Sequence, residues 1–147
     1  MPLDQITSSA TAEEIIAELQ MKEHPEGGYY TETFRDEEGP RGRGYSTAIY
    51  YLLKKHQRSH WHRIDAIETW HYYGGAPLCL SISSEEGSQN DIILGMDVLN
   101  GQRPQGIVPR HAWQSARSLG EWTLVGCTVA PGFLFDGFEL APSDWNP

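Results

Sequence analysis

Between residues 29 and 130 the chain is a series of short β-forming runs, and almost every break between them holds Gly or Pro. The runs are 29–35 (YYTETFR), 45–53 (YSTAIYYLL), 59–64 (SHWHRI), 67–73 (IETWHYY), 78–82 (LCLSI), 91–95 (DIILG), 112–118 (AWQSARS) and 121–130 (EWTLVGCTVA). Turn signals stand at Gly74-Gly75-Ala76-Pro77, Glu86-Gly87, Asn100-Gly101, Leu119-Gly120 and Pro131-Gly132. Repeated short strands with no helix-length pattern between them exclude alternating strand and helix units. They predict a mainly β sandwich or barrel.

One helix is predicted, over about residues 12 to 21 within an N-terminal segment 11–21, because Thr11 and Glu14 form a capping box and Ile15, Ile16 and Leu19 share a face. It is too short to stand alone, so it is expected to brace the β body. HPEGGYY at 24–30 reads as a turn, with Pro25 ending any helix and Gly27-Gly28 relaxing the backbone. DEEGPRGRG at 36–44 is polar and Gly-rich and is expected to be a flexible loop. No repeat or low-complexity stretch divides the chain, and 147 residues suit a single domain, 1–147.

With 20 acidic and 11 basic residues the formal charge is −9, and the basic residues form no run. A phosphate backbone would be repelled, so nucleic acid is not an expected partner. No stretch reaches the ~20 apolar residues of a membrane helix. Residues 1–10 lack the features of a secretory leader, and the expected location is the cytoplasm. Cys79 and Cys127 lie in apolar runs without CxxC spacing, which predicts buried free thiols.

The densest chemistry is SHWHRIDAIETWHYYGG, residues 59–75. Side chains two apart on a strand face the same way, so strand parity places His60 and His62 together, and on the next strand Glu68, Trp70 and Tyr72. Two imidazoles and a carboxylate suit a divalent cation. By themselves a pair of histidines and scattered aromatics are as readily packing residues; on this ground His24 and His71 are assigned to packing, with His71 on the outer sheet or at a dimer interface.

The block resembles the first motif of the cupin superfamily, with His60 and His62 as the HxH pair, Glu68 one or two places late and Gly75 at the expected distance from it. In the second motif Pro109 fits, His111 stands where Gly is expected and Gln114 stands in place of the fourth ligand. The whole chain is similar to a cupin family of unknown function that shares HPEGGYYTETFR, the 46–53 strand, WHRIDAIETWHYYGG, a VPxxxWQ segment and VAPGFLFDGFEL. The resemblance implies a double-stranded β-helix (jelly-roll) barrel, commonly a homodimer, with an open pocket that takes a small molecule.

The leading functional reading is a metal-independent isomerase or epimerase acting on a sugar-like or other polar metabolite. Similarity to the sugar epimerases of this fold implies His62 as the base and Tyr72 as the acid. His60, Glu68, Trp70 and Gln114 then line the ligand, with Arg58 or Arg63 as an anion clamp. The alternatives are a metal-dependent enzyme using His60, His62 and Glu68, and a protein that only binds or senses its ligand. A neutral Gln is a poor fourth donor, so any divalent metal is expected to bind weakly.

Overall fold

The computed structural model describes residues 10–84 and 87–147. The leader expectation rests on residues outside that range, Ala10 excepted, as does Glu86 of the Glu86-Gly87 turn. Helix α1 (Ala12–Glu18) carries the predicted box: Thr11 Oγ1 accepts from the Glu14 amide at 3.1 Å and Glu14 Oε1 accepts from the Thr11 amide at 3.0 Å. It stops at Glu18 instead of 21, and Gln20 takes a left-handed φ of 54° as the chain turns back. Its apolar face, Ala12, Ile15, Ile16 and Leu19, packs with Met21 on Leu52 and Trp122.

The strands are β1 (Lys22–Glu23), β2 (Tyr29–Arg35), β3 (Thr47–Lys54), β4 (Arg58–Ile64), β5 (Ile67–Gly75), β6 (Leu78–Ser83), β7 (Gln89–Leu94), β8 (Gln105–Val108), β9 (Trp113–Ser118), β10 (Trp122–Ala130) and β11 (Phe138–Leu140). They form two antiparallel sheets, ordered β1-β2-β3-β10-β5-β8 and β11-β4-β9-β6-β7. The fold is mainly β, a jelly roll with one short α-helix among the described residues, as expected. β1, β8 and β11 were not predicted from sequence. Each is a short strand at the end of a sheet, and its extended form comes from a neighbour: β8 from β5, β11 from β4.

Parity within the strands sorts side chains between the two faces. Ile49, Cys127 and Trp70 lie in register across β3, β10 and β5, and Leu80 faces Ala116 across β6 and β9. These inner residues join Tyr51, Leu53, Leu78, Leu94, Val108 and Val125 in the main core. The core fills one end of the barrel. The other end, where β3 begins and β4 and β10 finish, is left for the site.

The 36–44 connection is tied down at its far end. Arg43 donates to both Asp65 carboxylate oxygens, at 3.0 and 2.8 Å, and through Nε to the Gly132 carbonyl at 2.8 Å. Cys79 and Cys127 are buried and free. Among the described residues no helix is long and apolar enough to cross a membrane.

Candidate functional site

A partly open cavity of about 60 Å³ lies at the unfilled end of the barrel, room for about four or five water-sized groups. His24, Glu26, His62, Glu68 and Cys127 supply its chemistry, and Tyr30, Phe133, Phe135 and Phe138 much of its wall.

Strand parity does not carry through β4. Ser59 pairs with Ala116 but His62 pairs with Gln114, so three steps along β4 oppose two along β9. This is a β-bulge, and it rotates the end of the strand. Ser59 and His62 therefore reach the interior together while His60 does not line the cavity. His60 is half-buried, with Nε2 against the Pro142 carbonyl at 2.8 Å. Trp61 packs outside, donating to Asn146 Oδ1 at 3.1 Å.

His62 is 2% exposed. Its Nδ1 lies 2.8 Å from the His60 carbonyl and 2.8 Å from Glu26 Oε2. Both are acceptors, so Nδ1 carries a proton and Nε2 is the nitrogen available to the cavity. Burial works to lower the His62 pKa, but the Glu26 carboxylate, aided by Glu68 and the carbonyl, outweighs it and brings the value up to about 9. Burial likewise works to raise the Glu26 pKa, yet the net shift is downward, driven by His62, His24 and the Ser59 hydroxyl that donates to Oε2. At neutral pH this is a buried ion pair.

Glu26 reaches His62 because the 24–28 turn lies directly on β4. Gly27 has φ 109°, and a Cβ there would sit 2.1 Å from the Arg58 carbonyl oxygen, so only glycine permits the approach. The His60 amide donates to the Glu26 carbonyl at 2.8 Å and fixes the contact. Burial lowers the His24 pKa against the pull of Glu26. Its Nδ1 accepts from the Glu26 amide at 3.1 Å, so the 3.3 Å approach to the carboxylate is a contact of a neutral ring.

On β5, Glu68 is 8% exposed and accepts from Gln114 Nε2 at 2.9 Å, while Gln114 Oε1 accepts from Trp70 Nε1 at 2.8 Å. Trp70 thus fixes which end of the amide faces Glu68. Burial raises the Glu68 pKa to about 7 although His62 pulls it down. The carboxyl is therefore poised to exchange a proton near neutrality.

Of the residues singled out from sequence, His62 and Glu68 line the cavity; Gln114 and Trp70 stand behind Glu68 in the packed interior. Tyr72 faces inward, as parity required, but at the filled end of the barrel, its hydroxyl donating to the Gly75 carbonyl. Arg58 and Arg63 are outside: Arg58 Nε donates to Ser115 Oγ at 2.9 Å, and Arg63 pairs with Glu139 at 2.7 Å and lies over the Trp113 ring. His111 is exposed, with a left-handed φ of 69°. His71 is on the outer face of the larger sheet, against Thr128 Oγ1 and Tyr73. His24, assigned to packing from sequence, and Glu26, not singled out there, both line the cavity. Their signal was a His and a Glu two apart in a loop stiffened by Pro25 and bounded by Gly27-Gly28, since a rigid loop is where site residues concentrate.

The expected metal ligands do not converge. His60 is turned away, His62 Nδ1 is engaged by Glu26, and Glu68 has one oxygen on Gln114. Among the described residues no group of three or more His, Cys, Asp or Glu side chains is placed to hold a metal ion.

Residues 13–141 match the family model described as Cupin superfamily (DUF985). A Shewanella oneidensis protein of known crystal structure is 36% identical, with a TM-score of 0.86 over 90% of this chain and 85% of that one. A hypothetical protein from Leishmania major is 32% identical, with a TM-score of 0.82 over 90% and 88%. Oxalate decarboxylase from Bacillus subtilis is 16% identical, with a TM-score of 0.63 over 80% of this chain and 29% of that one, a likeness of fold alone. No curated protein matches the chain.

The buried groups make stability depend on pH. His62 has a raised folded pKa, so its contribution is complete below about 6.5 and is lost as pH rises through about 9. Glu68, also raised, contributes fully below about 4.5 and loses that contribution as pH rises through about 7. Glu26 is lowered and acts oppositely, its contribution being lost only as pH falls below the ordinary carboxylate range. The melting temperature, followed by circular dichroism, is therefore expected to fall from pH 5 to pH 9. Glu26→Gln should remove the part of that fall between pH 6.5 and 9. A wild-type profile flat over that upper interval contradicts the assignment.

Proposed function

The chain belongs to the cupin family described as Cupin superfamily (DUF985), and for this member we propose metal-independent acid–base chemistry that moves a proton on a small, uncharged carbonyl compound. The observation that carries the reading is that Glu68 and His62 face one small cavity while each is held from behind, Glu68 by Gln114 and His62 by Glu26. A carboxyl titrating near neutrality beside a fixed imidazolium is the pairing that enolisation needs.

Sequence similarity cast His62 as the base, but an imidazole kept protonated to about 9 is a donor at neutral pH. In the proposed step the Glu68 carboxylate takes a proton from the carbon next to a carbonyl. The bonding pair moves into the enolate, and the oxygen that gains charge is hydrogen-bonded by the His62 Nε2 proton. Return of a proton from Glu68 to the same carbon, on the same face, regenerates the substrate with its hydrogen exchanged for one from solvent. Return to the neighbouring carbon, with proton transfer between the oxygens, gives an isomer.

Charge balance supports an uncharged substrate. His62 is matched by Glu26, and Arg35, which donates to the Phe133 carbonyl of the wall, is matched by Glu32 at 2.9 Å. A buried anion would find no unmatched cation among the lining residues. The enclosed space takes only a few non-hydrogen atoms, so anything as large as a sugar has to extend past the exposed Phe135.

The test is hydrogen exchange at carbon in D2O, followed by NMR with hydroxyacetone, dihydroxyacetone and glyceraldehyde as probes. Exchange should be accelerated between about pH 7 and 9, where Glu68 is ionised and His62 still protonated. Glu68→Gln should slow it by ~100-fold or more, the scale of a positioned general base. Wild-type rates no higher than those of Glu68→Gln for every probe would remove the catalytic reading and leave a binding protein.

We also propose that two copies pair through the outer face of the larger sheet. Beyond the area under α1 this face presents Ala48, Thr69, His71 and Thr128, with Ile67, Tyr73 and Ile107 43%, 51% and 58% exposed. It lacks carboxylates at these positions on a chain of charge −9, so it is where two copies repel least. Light scattering should give twice the chain mass, falling to a single chain in Ile107→Glu. A monomer mass for the wild type at high concentration overturns the pairing.

A further inference from the structure

At the filled end of the barrel, away from the cavity, the turn joining β3 to β4 and the end of β9 form a shallow groove lined by Lys55, His56, Gln57, Arg58 and Arg117. We infer that this groove is a binding site for a phosphate-type oxyanion. The inference is independent of the chemistry assigned to the cavity.

Arg58 and Arg117 are direct partners across the antiparallel β4 and β9 strands. Like charges directly opposite each other are unfavourable, because such side chains leave the backbone only about 5 Å apart. The chain nevertheless places them together, although it carries 20 acidic residues against 11 basic ones and no carboxylate lines the groove. An anion between the two guanidinium groups turns that repulsion into a pair of charge-assisted contacts.

The groove is also prepared for a ligand. Arg58 Nε donates to the Ser115 hydroxyl at 2.9 Å, and that hydroxyl, fully buried, donates to the Ser59 carbonyl at 2.8 Å. The Arg58 fork is thereby held at its Nε, while its terminal amines have no hydrogen-bond or ion-pair partner among the described residues. The Arg117 side chain is exposed and has no ion pair or hydrogen-bond partner among the described residues. Among the described residues the Lys55 ammonium has only a long, exposed contact to Glu121 at 3.4 Å, easily exchanged for a better acceptor. His56, in the left-handed region at φ 69°, also lines the groove.

Two forks and an ammonium match the several oxygens and double charge of a phosphate group better than a single carboxylate. The phosphate can be free or carried by a small metabolite, the same chemistry from two sources.

The test is an NMR titration of the isotope-labelled full chain at low ionic strength with inorganic phosphate, glycerol phosphate and acetate. Saturable shifts confined to the amides of 55–58 and 117–120, and to the Arg58 and Arg117 side-chain Nε–H, are expected with phosphate. A dissociation constant below ~1 mM fits a few such contacts. Acetate should bind at least ~10-fold more weakly, since it offers fewer oxygens and one charge. Tighter binding of glycerol phosphate identifies a phosphate ester as the ligand class, and equal or weaker binding identifies free phosphate. Arg117→Ala changes an exposed residue and should weaken binding ~10-fold or more, whereas Lys22→Ala, outside the groove, should not. Lys55→Ala gives a second reading should Arg117→Ala fold poorly. Shifts that do not saturate, spread over all basic residues, or persist unchanged in the groove variants would overturn the site and leave a solvated basic face.

Discussion

The buried pair between Glu26 and His62 is the interaction on which the site rests. Removing two charges from water costs several kcal/mol per ion, and such a pair persists only where further hydrogen bonds complete it. Here they do: Ser59 and His62 donate to Glu26 Oε2, and the His60 carbonyl shares the His62 Nδ1 proton. The pair also sets the neighbouring chemistry, because an imidazolium held by one carboxylate moderates the pKa of the next, Glu68. Two backbone features make it possible. The bulge in β4 brings Ser59 and His62 inside together, and Gly27 lets the 24–28 turn lie against the Arg58 carbonyl.

The barrel divides its labour along its length. Trp70, Leu80, Tyr51 and Val125 fill one end, while Phe133 and Phe138 wall the other without closing it. The wall is held by polar contacts from distant parts of the chain: Arg35 to the Phe133 carbonyl at 2.9 Å, Arg43 to the Gly132 carbonyl, and the Phe133 amide to Thr47 Oγ1 at 3.0 Å. Trp70 links the two ends, packed on the core side and fixing Gln114, and through it Glu68, on the cavity side.

Much of the fold is legible in the sequence because it is written in local terms. Period-two runs and Gly or Pro breaks mark the long strands, and Thr11 with Glu14 marks the helix start. What failed were features decided by partners far along the chain. Parity placed Glu68 and His62 correctly but not His60, because the bulge arises from how β4 pairs with β9, some fifty residues away. Tyr72 has the right face and the wrong height, since parity says nothing about depth. His24 and Glu26 looked like turn residues because their role depends on a close approach to β4, which only the two glycines after them betray.

An ion pair between Glu26 and His62 organises the cavity. Nitrogen-15 NMR of the His62 ring reads it most directly, since each ring nitrogen reports whether it carries a proton or a metal. At pH 7.5 in protein purified without chelator, both His62 nitrogens should be protonated, and in Glu26→Gln the ring should become neutral. A metal-bound nitrogen in the wild type, or a ring already neutral at pH 7.5 and unchanged by Glu26→Gln, would contradict the account.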